Sequence, residues 1–350
     1  MPFIFKKMMA YVRGFRLALH VIPCTAFTSS FPVRGHSRAV RSALYGVTTY
    51  QEDPVPDMLG KFQVSVAKHI GGRATSATSA TMAMGGSAKM EDEAFVAKDF
   101  ACVLDGHGGG QVSKYVLENL YSELMMALAT TVGSPFNSVE EIDDDSLKGV
   151  YDKASDEDYE TALRSALATI NTHCFGVEEW GLTGTTVCAC WIVPSGDDTH
   201  KILFCNIGDS RGMLFTDGEC VFCTKDHKPN DPVEQARIEA AGGSVYEKGG
   251  TWRVVGGLAM SRAIGDWKDS PFVGAEPDIT TLPISPELPM QVVLATDGLW
   301  DVVKDFPPKI VAEILTMGNA STLVRYSLLA KTEDNVAVIV IESAIPNHNS

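Results

Sequence analysis

Four aspartates stand at the ends of apolar runs in this sequence. Asp105 closes Phe100-Ala101-Cys102-Val103-Leu104, Asp209 follows Ile202 to Ile207 and Gly208, Asp297 follows Val292-Val293-Leu294-Ala295, and Asp334 opens Val336 to Ile341. If these runs are strands whose ends gather at one edge of a sheet or sandwich, the carboxylates meet, and like charges a few ångströms apart cannot all ionise without a cation. Hard divalent ions with oxygen ligands resolve that repulsion. An Asp-Gly after a strand is ordinarily only a turn. Here, however, Asp105-Gly106 runs on into His107-Gly108-Gly109-Gly110, and Asp297-Gly298 into Leu299-Trp300-Asp301. Glycine beside a ligating aspartate lets its backbone carbonyl approach the ion and leaves room for coordinated water. An imidazole titrates near neutrality, so His107 in that position can donate a proton.

Charge points the same way. The 350 residues include 29 Lys+Arg against 44 Asp+Glu, a formal charge of -15, which opposes recruitment of nucleic acid. The distribution is uneven. Lys6, Lys7, Arg13, Arg16, Arg34, Arg38 and Arg41 precede the first acidic residue, Glu52, which leaves 22 basic against 44 acidic residues in the remainder. Such self-repulsion is unfavourable unless some carboxylates bind cations. An Arg- and hydroxyl-rich, acid-free start has the composition of an organellar transit peptide, so residues 1–60 are expected to be a targeting leader or basic extension. The mitochondrion is the first expected destination and the plastid the second, with cytosol or nucleus if the leader does not function. Within it, the apolar run Leu17 to Cys24 could instead serve as a signal-peptide core. No stretch reaches the roughly 20 apolar residues of a membrane span, so membrane insertion is not expected.

Composition, 45% hydrophobic with mean hydropathy +0.03, excludes collagen, coiled coil and wholesale disorder. Eight cysteines are too sparse for a disulfide scaffold, and reduced thiols are the default. Cys220 and Cys223 form a lone C-x-x-C after the turn Thr216-Asp217-Gly218 and read as strand residues.

The elements that would position the aspartates follow from hydrophobic pattern. Phe100 to Leu104, Thr185 to Val193, Ile202 to Ile207, Met213 to Phe215, Val292 to Ala295 and Val336 to Ile341 read as strands. Val112, Val116, Leu120 and Leu124 mark one helix, and Leu163, Leu167, Ile170 and Cys174 another. A third runs from the N-cap Asp231 and Pro232 to the stop at Gly242-Gly243. Strands joined by tight turns, with few helices between, predict an α+β protein of antiparallel sheets covered by helices. Thr75 to Ser87 reads as an exposed loop. The acidic segment Val139 to Glu160 lacks apolar periodicity in its first half and is expected to be a solvated insertion over about residues 135–160.

Several motifs also follow one another in a fixed order. They are Met90-Glu91-Asp92, Asp105 to Gly109, Gly184-Thr185-Thr186, Ile207-Gly208-Asp209-Ser210-Arg211, Asp226-His227-Lys228-Pro229, Gly256 to Asp266, Ala275-Glu276-Pro277, Ala295 to Asp301 and Asp334-Asn335. As an ordered set across about residues 65–343, they resemble the metal-dependent serine/threonine protein phosphatases of type 2C, the PPM class. The resemblance implies one phosphatase domain over residues 61–345, a four-layer αββα sandwich of two antiparallel sheets flanked by helices. It implies two Mn²⁺ or Mg²⁺ ions at one edge. Asp105 would bridge them, Gly106 would offer its carbonyl, Asp297 and Asp334 would complete the inner set, and Glu91 and Asp92 would hold bound waters. Asp209 and Asp301 match positions associated with a third, weaker ion.

By the same resemblance, His107 would protonate the departing serine or threonine oxygen, Asp105 and Asp297 would be catalytic with it, and Asp226 to Arg253 would include a flap beside the site. Phosphorylated proteins are the implied partners, and a monomer is expected. One departure matters: Ser87 stands where the family usually places an Arg that grips the substrate phosphate. Lys89 or Arg73 could supply the missing charge. Ser87 also motivates a second reading, a pseudophosphatase acting as a binding or regulatory protein. A third is a metal-dependent hydrolase of small phosphate esters or cyclic nucleotides.

Overall fold

Hydrophobic runs that do not alternate require strands covered on both faces. The computed structural model describes residues 38–41, 48–52, 62–69, 90–136, 138, 141–195, 199–284, 288–303, 308–316 and 318–343. In chain order the first strands are β1 (Arg38–Arg41), β2 (Thr48–Glu52), β3 (Phe62–His69), β4 (Glu93–Ala97) and β5 (Phe100–Leu104). Next come β6 (Gly106–His107), β7 (Gly184–Thr185), β8 (Val187–Pro194), β9 (His200–Ile207), β10 (Arg211–Thr216) and β11 (Glu219–Cys223). The last are β12 (Val245–Lys248), β13 (Thr251–Val254), β14 (Ile264–Gly265), β15 (Asp278–Ile284), β16 (Met290–Ala295) and β17 (Val336–Ser343). The described α-helices are α1 (Gln111–Thr131), α2 (Asp144–Tyr151), α3 (Asp156–Phe175), α4 (Pro232–Ala240), α5 (Asp297–Val303), α6 (Pro308–Leu315) and α7 (Ala320–Leu329).

Two large antiparallel sheets carry the fold, one in the order β1-β2-β3-β17-β16-β10-β11 and the other β15-β9-β8-β5-β4. Alternate residues of each central strand enter different cores. On β8, Val187, Ala189, Trp191 and Val193 pack towards α1, α2 and α3, whereas Cys188, Cys190 and Ile192 pack between the sheets. On β17, Val336, Val338 and Val340 pack towards α5, α6 and α7, and Ile339 and Ile341 between the sheets. Three cores therefore separate four layers, helix, sheet, sheet and helix, as expected of the α+β sandwich.

Local chemistry starts and stops the helices where the sequence signals it. Asp231 caps α4 by accepting from the Val233 N–H at 3.1 Å, with Pro232 in the first turn. Ser155 and Asp158 form a capping box for α3. Cys220 and Cys223 lie on edge strand β11, opposite Phe215 and Met213, and the described cysteines are all free.

Two expectations change. The acidic segment is not merely solvated: α2 buries Leu147, Val150 and Tyr151 against the helix-side core. The Tyr151 hydroxyl donates to the buried Asp99 carboxylate and accepts from Trp191 Nε1 at 3.3 Å. Three apolar residues suffice for so short a helix, and the surrounding acids hide them. In addition, β1 pairs with β2 and β2 with β3, although both β1 and β2 lie within the stretch expected to stand outside the fold. Contacts set Ser37–Ser350 apart as one unit, while Met1–His36, the Thr75 to Ser87 loop, Arg73 and Lys89 lie outside the described residues. No helix among the described residues is long and apolar enough to cross a membrane.

Candidate metal centre

Antiparallel pairing decides which strand ends meet. Both β5 and β9 run antiparallel to β8, so they leave the sheet in the same direction and carry Asp105 and Asp209 off their ends. In the facing sheet β17 runs antiparallel to β16, so Asp334 precedes the one strand at the edge where Asp297 follows the other. Ligand oxygens of Asp105, Asp209 and Asp297 lie within 4.8 Å of one another.

Burial pushes the Asp105 carboxyl well above the usual carboxylate range, and the charges of Asp92, Asp209 and Asp334 push it further, against a hydrogen bond shared with Asp297. Burial also raises Asp297, followed by the charges of Asp105, Asp209, Asp334 and Asp301. Asp209 Oδ1 and Asp297 Oδ1 are buried with no hydrogen-bond partner. Buried, unmatched and mutually repelling oxygens are the donor set of a hard divalent cation, so the residues fit the ions implied by the sequence.

The neighbouring backbone is drawn in tightly. Gly106 pairs with Thr185, and a Cβ on it would lie 2.4 Å from the Glu91 carbonyl oxygen. That close approach is why glycine follows Asp105. The Glu91 N–H donates to Asn335 Oδ1 at 2.8 Å, and its carbonyl accepts from Ser113 Oγ at 2.7 Å. These bonds tie the segment to β17 and α1. The structure thus groups Asp105, Asp209 and Asp297, sets Asp92, Asp301 and Asp334 within electrostatic reach, and brings the Glu91 backbone against Gly106.

Two side chains at the site were not singled out from sequence. Lys228 Nζ lies 2.5 Å from Asp209 Oδ2. It is held there because His227 is zipped to Gly208: the His227 N–H donates to the Gly208 carbonyl at 2.9 Å, and the Gly208 N–H to His227 Nδ1 at 3.0 Å. Burial disfavours the ammonium, but Asp209, Asp297 and Asp226 outweigh it and hold Lys228 above the usual lysine range. Asp266 is the other. Its Oδ2 lies 2.5 Å from His107 Nε2, across a separation of 159 residues. Burial disfavours the imidazolium, yet the hydrogen bond and charge of Asp266, with Asp209 and Glu91, raise the His107 pKa overall. Both residues fall inside the ordered motifs, but motif membership does not say which side chain they reach.

A family model described as Protein phosphatase 2C matches residues 68–336. Protein phosphatase 2C homolog 1 of Saccharomyces cerevisiae is 32% identical over 275 residues, covering 72% of this chain and 87% of the yeast protein. In Oryza sativa subsp. japonica, a relative named Probable protein phosphatase 2C member 13, mitochondrial, is 33% identical over 245 residues, which is 69% of this chain and 58% of that protein. This chain therefore spans little more than half the length of that rice relative. The solved serine-threonine phosphatase 2C from Toxoplasma gondii shares the fold, with TM-score 0.62 over 84% of this chain and 99% of that one at 20% identity. With the αββα sandwich, the converging carboxylates and a matching family model that spans most of its length, the chain belongs to the protein phosphatase 2C family.

Proposed function

We propose that this chain hydrolyses phosphoserine and phosphothreonine in proteins, with divalent metal ions as cofactors. The observation that carries this reading is the trio Asp105, Asp209 and Asp297, gathered within 4.8 Å, with buried unmatched oxygens on two of the three. Asp105, Asp297 and Asp334 would hold two Mn²⁺ or Mg²⁺ ions, with the Gly106 carbonyl, Glu91 and Asp92 around them. Asp209 and Asp301 would hold a third, weaker ion. Such ions, when bound, acidify a water and neutralise charge on the phosphoryl oxygens.

The chain's own residues supply the remaining steps. His107 delivers a proton to the departing serine or threonine oxygen, a contribution on the order of 10² to 10⁴-fold for a well-placed acid. Lys228 gives the buried Asp209 an ion-pair partner, its Nζ 2.5 Å from Asp209 Oδ2. A cysteine nucleophile is disfavoured, because burial pushes Cys102 and Cys188 well up and Cys190 and Cys205 up to about 12.

Phosphate release from a phosphothreonine peptide tests the reading. Activity should require Mg²⁺ or Mn²⁺, vanish in EDTA and vanish in Asp297→Asn; strong turnover in EDTA would overturn it. Ser87 favours the pseudophosphatase reading, which a normal turnover number of the wild-type chain would end.

The acid-free, basic N-terminal stretch supports import into mitochondria, and a rice relative carries that location in its name. A leader of this kind would be cut ahead of Arg38, since a later cut would remove β1 from the sheet. Residues 1–60 fused to a fluorescent protein should enter mitochondria, and a diffuse cytosolic signal would count against the leader.

A further inference from the structure

A small three-stranded sheet, in the order β14-β7-β6, stands beside the carboxylates, and its register lines up one row of residues. His107 on β6 pairs with Gly184 on β7, and Gly184 pairs with Gly265 on β14, the residue before Asp266. This row carries the His107 and Asp266 side chains into contact across the central glycine. A Cβ at Gly184 would lie 2.1 Å from Asp266 Oδ2 and 2.6 Å from His107 Nε2, so the contact requires glycine there.

The backbone of Asp266 is as closely determined. It has a left-handed φ of 47°, its N–H donates to the Thr183 carbonyl at 3.0 Å, and the Gly265 N–H donates to Asn171 Oδ1 at 2.9 Å. A residue forced into this conformation by neighbouring bonds is positioned by the fold. Asp266 is 1% exposed, and its Oδ2 lies 2.5 Å from His107 Nε2. A carboxylate at that distance makes Nε2 the N–H that donates to it. The other ring nitrogen, Nδ1, is buried and has no partner in the protein.

We infer that Asp266 is a positioning residue that engages His107 Nε2 and commits Nδ1 to the leaving-group oxygen of the substrate. The inference rests on the reading of His107 as proton donor. In that step the new P–O bond forms from water, which gives up one proton to solvent, and the ester P–O bond breaks with its electron pair on the serine or threonine oxygen. That oxygen takes the proton from His107 Nδ1. The ring is left neutral with Nε2–H still on Asp266 and regains a proton from solvent.

The test compares substrates that differ in their need for that proton. A phosphothreonine peptide must release an alkoxide, whereas p-nitrophenyl phosphate releases a stable phenolate. With the full chain in Mg²⁺, Asp266→Asn should lower kcat on the peptide on the order of 10²-fold and kcat on the aryl ester by no more than about threefold. The double variant with His107→Gln should match His107→Gln alone. Equal losses on both substrates, or an additive double variant, would overturn the positioning role. Selective loss in His107→Gln without loss in Asp266→Asn would overturn it while sparing the proton donor, and no selective loss in His107→Gln would overturn the donor itself. Should Asp266→Asn fail to fold, ¹⁵N-resolved histidine spectra of the wild-type Mg²⁺ form decide. The strongly hydrogen-bonded proton should lie on Nε2 of His107, and finding it on Nδ1 would refute the inference.

Discussion

Lys228 Nζ lies 2.5 Å from Asp209 Oδ2, so one of the three clustered carboxylates already shares a cation supplied by the chain. The other oxygen of Asp209 is buried and unmatched. In the proposed reading, an ion arriving at Asp209 would meet a resident positive charge, which would weaken its binding there relative to ions at the other carboxylates.

Replacing that resident charge should therefore tighten the weakest ion. Lys228→Met is expected to raise Mg²⁺ affinity at the weakest site by about tenfold, equivalent to about 1.4 kcal/mol. In EDTA the same variant should be less stable, because a buried carboxylate loses its partner, at a cost of about 1–3 kcal/mol. Calorimetric titration and urea unfolding measure the two effects. Unaltered Mg²⁺ binding would show that the ammonium and the ion do not compete.

At Asp297 activity and stability should move in opposite directions. Asp297→Asn removes one of several repelling charges, so the metal-free protein should gain about 1 kcal/mol while phosphopeptide turnover is lost. Urea unfolding in EDTA provides the measurement. A destabilised variant would mean that the carboxylates do not repel in the metal-free fold.

The pH dependence of the metal-free protein follows from the same charges. The folded pKa values of Asp105 and Asp297 stand above those of the unfolded chain, so the folded state binds more protons in between and stability falls as pH rises through that window. Glu234 has the opposite sign. Despite burial, hydrogen bonds from Arg262 and Ser261 and the charges of Arg262 and Arg237 hold it down to about 2. Its contribution is present above the unfolded glutamate range and is lost as pH falls through about 2. In EDTA the thermal midpoint should therefore be higher near about pH 5.5 than near about pH 7.5, and saturating Mg²⁺ should remove that slope. A slope that survives Mg²⁺ would place its origin elsewhere.

Tyr151→Phe examines the acidic segment. Asp99 precedes β5 at the end opposite Asp105, and it is buried with Tyr151 and Tyr121 hydroxyls bonded to it. Losing one donor should cost about 1–3 kcal/mol in unfolding free energy and leave kcat on a phosphopeptide unchanged. A neutral stability effect would return the segment to the status of a solvated insertion.

Legibility tracked burial. β5, β8, β9, β16 and β17 show as unbroken apolar runs because both faces are covered, and α1 shows because Val112, Val116, Leu120 and Leu124 form one buried stripe. The β12–β13 hairpin was not legible: Tyr246 and Trp252 remain exposed, so no covered face marks it. In α2 only three residues enter the core, too few to stand out among acids.

The sequence by itself determined the chemistry on offer: carboxylates beside glycines at the ends of apolar strands, a histidine among them, and strands in need of cover on two sides. Only the tertiary structure decided that Asp209 joins Asp105 and Asp297, that Lys228 neutralises Asp209 and that Asp266 grips His107. Local pattern records which face of an element is covered. Which ends meet depends on strand order and register, set by long-range pairing, and no residue's near neighbours along the chain carry that information.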